Sequence, residues 1–128
     1  MRLLLDSQLA IWWQITPERL PTAIHDWIGQ ASDGVFVSKA SLWEMAIKIG
    51  VGKLDIDLQR FMAHMEQDGF SWLGIENTHL LHLRHLPQHD DHKDPFDRLL
   101  AAQSLSEPMI LLTNDRKLAR YGPTVRVI

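Results

Sequence analysis

An unbroken apolar run that ends directly at a carboxylate, Leu3 to Leu5 followed by Asp6, is the feature that most constrains the fold. An apolar run without polar alternation is typical of a strand that is covered on both faces, as in a parallel sheet flanked by helices. Ligands of such sheets bind in the crevice outside the carboxyl ends of the strands. Asp6 is therefore expected at a binding edge, although Asp is also a preferred N-cap and can simply begin a helix at Ser7.

The rest of the chain alternates strand and helix patterns. Further strands are predicted at 35–38, 70–75, 109–113 and 125–128, and helices at 7–14, 16–31, 39–49, 58–67, 78–86, from 94 onward and at 116–121. Pro21 favours a break in the second helix, and Asn77 is expected to cap the helix that follows it. The alternation predicts a single α/β domain, residues 1–128, with a parallel sheet of about five strands and right-handed crossovers.

Composition excludes several classes of function. Without cysteine the chain has no disulfide, no thiolate nucleophile and no sulfur-ligated metal, which suits a cytoplasmic protein. No segment is long and apolar enough for a membrane span, and the first apolar run is too short for a signal peptide. The formal net charge of −3 argues against nucleic-acid binding through a broadly basic surface. That objection weakens if the acids cluster around bound cations.

Four acids fall where this fold would gather them. Asp6 and Asp115 follow predicted buried strands, and Glu44 and Asp97 lie in early helical turns. Carboxylates that converge on one crevice repel one another unless a cation compensates them, and oxygen ligands without cysteine select Mg²⁺ or Mn²⁺. Such a site can activate water and stabilise the attacking and leaving oxygens of a phosphodiester. The acids are thus candidate ligands of a metal-dependent hydrolase.

Each acid also has a local alternative. Asp94, Pro95 and Asp97 occupy the N-cap, N1 and N3 positions of a helix, so that Asp94 can be a cap and Asp97 its reciprocal partner. Glu44 lies off the predicted buried stripe of its helix, and its i,i+4 spacing to Lys48 is typical of an exposed ion pair. The predicted stripe consists of Leu42, Met45, Ala46 and Ile49.

Four motifs together carry a resemblance. They are Leu-Leu-Leu-Asp-Ser near the start, Ser-Leu-Trp-Glu-Met-Ala after the second strand, Asp-Pro-Phe-Asp-Arg-Leu-Leu-Ala-Ala-Gln, and Leu-Leu-Thr-Asn-Asp. In this combination the chain resembles the PIN-domain ribonucleases, and among them the VapC-type toxins of toxin–antitoxin pairs. The resemblance implies a three-layer PIN-like fold and Mg²⁺- or Mn²⁺-dependent cleavage of single-stranded or loop RNA, with tRNA or ribosomal RNA as the target. It also implies a homodimer that a small antitoxin inhibits.

The resemblance assigns residues by position. Asp6, Glu44, Asp97 and Asp115 match the acidic ligands of the family, and Ser7 and Thr113 match hydroxyl positions beside them. The link before Asp94 departs from the pattern because Asp90 and Asp91 are extra, which leaves open whether His92 replaces the usual histidine and whether Asp94 is a ligand. Four basic residues near these acids are candidate phosphate contacts or solvated helix faces: Arg98, Arg116, Lys117 and Arg120.

Other functions remain as alternatives. These are an RNA-processing nuclease without an antitoxin, a noncatalytic PIN-like binding module, and a phosphoacceptor receiver module, although the chain lacks the paired acids that a receiver has after its first strand. A zinc ladder would use the regularly spaced histidines His79, His82, His85, His89 and His92, but helical residues at i, i+3 and i+6 fan across a wide arc. Trp12 and Trp13 also point apart on their helix, so one is expected at a partner surface unless both are buried.

Overall fold

A five-stranded parallel sheet is built around the first strand of the chain. The computed structural model describes all residues, 1–128, and its strands are β1 (Leu3–Leu5), β2 (Val35–Ser38), β3 (Ser71–Leu73), β4 (Ile110–Thr113) and β5 (Val125–Val127). The strand order is β3-β2-β1-β4-β5, and every neighbouring pair is parallel. β1 is therefore central, and Asp6 follows it at the carboxyl edge of the sheet. The predicted α/β fold class is confirmed.

Helices cover both faces of this sheet. They are α1 (Ser7–Ile15), α2 (Thr22–Gln30), α3 (Lys39–Gly50), α4 (Leu58–Gln67), α5 (Asn77–His85) and α6 (Pro95–Ser106), with short 3₁₀ helices at Pro17–Arg19 and Arg116–Tyr121. Leu3 and Leu5 belong to a core that includes Leu9 of α1. Leu4 points the other way, into a core with Leu100 of α6. These two cores explain why the first strand has no polar alternation. No helix combines the length and the hydropathy that a membrane span requires.

Local predictions differ from the structure at a few positions. The helix predicted over 16–31 is divided into a 3₁₀ turn and α2 at Pro21, where the sequence favoured a break, since proline cannot donate the backbone hydrogen bond that a continuous helix needs. The expected cap Asn77 is already helical, and the backbone N–H of Glu76 before it donates to Nδ1 of His79 at 2.9 Å. Ala46, predicted to be buried, is exposed on α3. The strand predicted at 70–75 is shortened to β3.

The histidines do not form a ladder. His79 is buried and pairs with Glu107 through its Nε2, 2.6 Å from Oε2, whereas His82 and His85 are exposed. Trp12 and Trp13 are both partly buried against the main core, and the indole N–H of Trp13 donates to Asp68 at 2.8 Å. The role of one of these tryptophans at a partner surface stays a prediction.

Candidate metal centre

A polar cavity of about 260 Å³ opens at the carboxyl edge of the sheet, where β1 and β4 end. The four predicted acids all line it, namely Asp6, Glu44, Asp97 and Asp115. A fifth acid, Asp94, lines it as well, and so do Ser7, Lys48 and Asn114. Chain segments that are more than one hundred residues apart thus converge on one site. The structure brings the predicted residues together, and it adds Lys48 and Asn114, which sequence reasoning had not placed in the cavity.

Asp6 is both an N-cap and a cavity residue. Its Oδ1 accepts a hydrogen bond from the backbone N–H of Leu9 at 2.8 Å, which caps α1. Its Oδ2 accepts a hydrogen bond from the Thr113 hydroxyl at 2.6 Å. Thr113 Oγ1 in turn accepts from the backbone N–H of Asp115 at 3.0 Å. The two interpretations of Asp6 that the sequence left open are therefore compatible, because capping fixes the carboxylate at the cavity wall.

Glu44 is buried, although Lys48, one turn later on the same helix, is exposed. Its carboxylate is oriented by the hydroxyl of Ser7, which donates to Oε1 at 2.6 Å. Lys48 Nζ lies 3.4 Å from Oε2, so the predicted i,i+4 ion pair is also present. The side chain of Glu44 is 10% exposed, whereas that of Lys48 is 50% exposed. The pair consequently brings one positive charge to the rim of an acidic cavity.

The start of α6 separates the roles of its two acids. Asp94 Oδ1 accepts a hydrogen bond from the backbone N–H of Asp97 at 2.9 Å, and Pro95 occupies the first helical position. Asp94 is the N-cap. Asp97 contributes its backbone N–H to this cap, while its carboxylate points towards His92, with Oδ2 at 3.5 Å from Nε2. The predicted reciprocal capping role of Asp97 is therefore not what its side chain does.

His92 completes a compact group with two of the acids. Its Nε2 lies 3.5 Å from Oδ2 of Asp115 and at the same distance from Asp97. One ligand atom from each of these three residues lies within 4.8 Å of the other two. Asp115 also caps the last 3₁₀ helix, because its Oδ1 accepts from the backbone N–H of Lys117 at 3.0 Å. The extra residues of the preceding link, Asp90 and Asp91, form the turn of a β-bridge between His89 and His92.

Two of the carboxyl groups resist ionisation. Burial raises the pKa of Asp6 to about 6, with smaller contributions from the charges of Glu44 and Asp115, against the opposing hydrogen bonds from Thr113 and Leu9. Burial raises the pKa of Asp97 to about 7, and the surrounding carboxylates add to this increase. The protein itself thus compensates the negative charge of these acids only in part, through Lys48. A divalent cation fits this donor set of carboxylate oxygens and would relieve the repulsion among them.

The four basic candidates differ in their surroundings. Arg98 is buried, and its guanidinium donates to the carbonyl oxygen of Pro87 at 2.8 Å and to Oη of Tyr121 at 3.2 Å. The side chain of Arg98 thus holds the link before α6 in place, which argues against a phosphate contact. Lys117 donates to the Asp91 backbone oxygen at 3.0 Å, and Arg120 makes a two-pronged pair with the Asp91 carboxylate. These two cations are exposed, as is Arg116.

Comparison with known proteins finds one matching protein family and solved structures with a similar fold. The protein-family model for the PIN domain matches residues 3–122. No curated protein matches the chain. The crystal structure of VapBC2 from Rickettsia felis, bound to a promoter DNA fragment, has a chain with 15% identity and a TM-score of 0.71, and the match covers 100% of this chain and 98% of that one. DNA-bound VapBC from Salmonella typhimurium has 18% identity and a TM-score of 0.69, with coverages of 100% and 97%.

Proposed function

Because this chain belongs to the PIN-domain family, we propose that it is a metal-dependent endoribonuclease and the toxin of a toxin–antitoxin pair. The observation that carries the proposal is the convergence of Asp6, Glu44, Asp97 and Asp115 on one cavity. The raised pKa values of Asp6 and Asp97 support it, since they indicate that the protein alone does not supply the positive charge that would keep both carboxylates ionised. The chain offers no cysteine nucleophile, which favours hydrolysis by activated water.

The four acids are the proposed ligands of Mg²⁺ or Mn²⁺. When bound, the cation lowers the pKa of a water molecule and stabilises negative charge on the oxygens of the scissile phosphodiester. The residues around the acids position them: Thr113 holds the Asp6 carboxylate, Ser7 holds Glu44, and the Asp94 cap fixes the first turn of α6. Asp94 is thus proposed to act through the helix and not as a ligand. Lys48 offsets part of the negative charge of Glu44.

The proposed substrate is RNA in single-stranded or loop form, with tRNA or ribosomal RNA as the expected class. Exposed cations beside the acids can hold the phosphates of the strand without reading its sequence. Arg116, Lys117 and Arg120 lie in the 3₁₀ helix that Asp115 caps, next to the cavity. They are the proposed phosphate contacts. An RNA substrate also agrees with a cytoplasmic location, which we propose for the protein.

Two protein partners are proposed, an antitoxin and a second copy of this chain. The similar solved structures are VapBC complexes, which supports an antitoxin partner. Trp43 and Ile47 are exposed apolar side chains at i and i+4 on one face of α3, and the exposed Val51 follows directly after the helix. Trp43 packs edge-on against Phe96, with ring centroids 5.0 Å apart, next to Asp97. A partner that covered this stripe would also restrict access to the cavity, as an inhibitor must.

The test is RNA cleavage by the purified chain in the presence of Mn²⁺ or Mg²⁺. Wild type is expected to cleave a structured RNA with accessible loops and to lose activity with EDTA. Asp97→Asn is expected to abolish cleavage while the circular dichroism spectrum stays native. Asp90→Asn makes the same chemical change at an exposed turn outside the cavity and is expected to cleave like wild type.

The outcomes separate the alternatives. RNA binding without cleavage in every metal would contradict the nuclease and favour a noncatalytic PIN-like module. If Asp97→Asn still cleaves RNA, Asp97 is not part of the site. Cleavage by a chain with no small DNA-binding partner, encoded beside it or recovered with it from cells, would contradict the toxin assignment and leave an RNA-processing nuclease.

A further inference from the structure

A histidine nitrogen without a hydrogen-bond partner faces two of the acids that line the cavity. His92 is 7% exposed, and its Nε2 is fully buried and makes no hydrogen bond. The two atoms that face it are carboxylate oxygens, Oδ2 of Asp97 and Oδ2 of Asp115, each at 3.5 Å. A buried polar atom without a partner is rare in folded proteins, and an ion between this nitrogen and the two carboxylates would give it one.

Contacts with Tyr121 hold one side of the His92 ring. Nδ1 of His92 lies 3.0 Å from Oη of Tyr121. The same Oη accepts from the guanidinium of Arg98 at 3.2 Å and lies 3.3 Å from the backbone oxygen of His92. Nε2 is therefore the ring nitrogen that faces the carboxylates. A histidine that binds a metal through one ring nitrogen commonly has the other nitrogen held by a hydrogen bond.

A divalent cation between Nε2 and the two carboxylates would give this nitrogen a partner and would offset the negative charge of the acids. Two ligand atoms 3.5 Å apart that each lie about 2.1 Å from one cation subtend roughly 110° at it, an angle that transition-metal sites accept. The three ligand atoms lie within 4.8 Å of one another, a spacing at which such a group could hold a metal ion. The arrangement matches a mixed nitrogen and oxygen donor set.

We infer that His92 Nε2 is a metal ligand together with Asp97 and Asp115, and that the site consequently prefers a divalent transition cation such as Mn²⁺ to Mg²⁺. Mg²⁺ takes oxygen ligands and gives up its water reluctantly, whereas imidazole favours transition metals. The inference builds on the metal dependence of the proposed function and narrows the choice of cation. Tyr121 is a positioning residue in it, because its hydroxyl lies 3.0 Å from Nδ1 and holds the His92 ring.

The experiment measures the metal itself and does not depend on RNA cleavage. Pulsed electron paramagnetic resonance of the Mn²⁺-loaded chain reports nitrogen nuclei bound to the metal, and calorimetric titration gives the affinities for Mn²⁺ and Mg²⁺. His92→Asn keeps a donor close to the position of Nδ1 and removes Nε2. The matched control is His85→Asn, which makes the same change at an exposed position of α5.

We expect nitrogen coupling in wild type and in His85→Asn, and none in His92→Asn. The affinity of His92→Asn for Mn²⁺ is expected to fall by about tenfold or more, and its affinity for Mg²⁺ by less than about threefold. Tyr121→Phe keeps the ring packing and removes the hydrogen bond to Nδ1 that holds the His92 ring, so it is expected to lower the Mn²⁺ affinity by about tenfold. This second variant carries the test if His92→Asn does not fold.

Several results would overturn the inference. They are Mn²⁺ bound to wild type without nitrogen coupling, unchanged Mn²⁺ affinity in a folded His92→Asn, and equal losses for the two metals. RNA cleavage with Mg²⁺ and no nitrogen coupling would retain the proposed nuclease and remove this ligand. Nitrogen coupling in a chain that cleaves no RNA would retain the ligand and contradict the nuclease.

Discussion

Replacing Asp97 by Asn should stabilise the metal-free fold at neutral pH, although Asp97 is a proposed ligand. The carboxylate faces other acids in the cavity, and burial together with their charges raises its pKa to about 7, from an ordinary 3.8. Asn has nearly the same shape and no charge. The backbone N–H of residue 97, which the Asp94 cap holds, is kept in the variant. The substitution therefore isolates the cost of the charge.

The sign follows from proton binding. Between pH 3.8 and about 7 the folded chain holds a proton on Asp97 that the unfolded chain has released, so the free energy of unfolding falls as pH rises through this window. At pH 7 the full shift corresponds to about 4 kcal/mol. The side chain is 27% exposed and the charge is shared among coupled acids, so a value of about 2 kcal/mol is the reasonable expectation.

Urea unfolding in EDTA at pH 4 and at pH 8 measures the effect. The free energy of unfolding of Asp97→Asn should exceed that of wild type by about 2 kcal/mol at pH 8. The difference should be much smaller at pH 4, where residue 97 is neutral in both folded proteins. Asp90→Asn, at an exposed turn, should match wild type at both pH values. Adding Mn²⁺ at a hundred times its dissociation constant should stabilise wild type by about 2.7 kcal/mol and the variant much less. If metal-free Asp97→Asn is less stable than wild type at pH 8, the electrostatic reasoning is wrong.

Other substitutions test the fold outside the cavity. Leu100→Ala should lower the free energy of unfolding by about 2–5 kcal/mol in chemical denaturation, because Leu100 is fully buried. His79→Leu should lower it by about 3 kcal/mol, since it removes the buried partner of Glu107, and an equal midpoint would contradict that role. Asp91→Asn should leave the unfolding midpoint unchanged, because its pair with Arg120 is exposed to solvent, and a clear drop in a thermal scan would contradict this.

The sheet and its acidic edge could be predicted because their causes are local. Runs such as Leu3 to Leu5 and Leu111 to Leu112 are apolar without alternation since both faces of β1 and β4 are covered. Parallel strands bring their carboxyl ends to one edge, so the acids that follow them, Asp6 and Asp115, had to be neighbours. Proline and aspartate at the start of α6 marked its first turn by the ordinary rules of capping.

The remaining features depend on residues far away in the chain. Arg98 reads as a surface cation in the sequence, but Pro87 and Tyr121 receive its guanidinium in the interior. The orientation of His92 likewise depends on Tyr121, 29 residues later. A partial signal for His92 was its position two residues before Asp94, which the two extra acids obscured. The periodicity of the sequence does not reveal these contacts, because only the tertiary packing brings the residues together.

The same acids both stabilise and destabilise this fold, and they divide these roles among them. Asp6, Asp94 and Asp115 each cap a helix, and a cap contributes about 1 kcal/mol. Those hydrogen bonds offset part of the repulsion and fix the carboxylates in place. The carboxylate of Asp97 has no capping role, and its pKa is raised to about 7. Asp97 is therefore the acid whose ionisation should depend most directly on a bound metal.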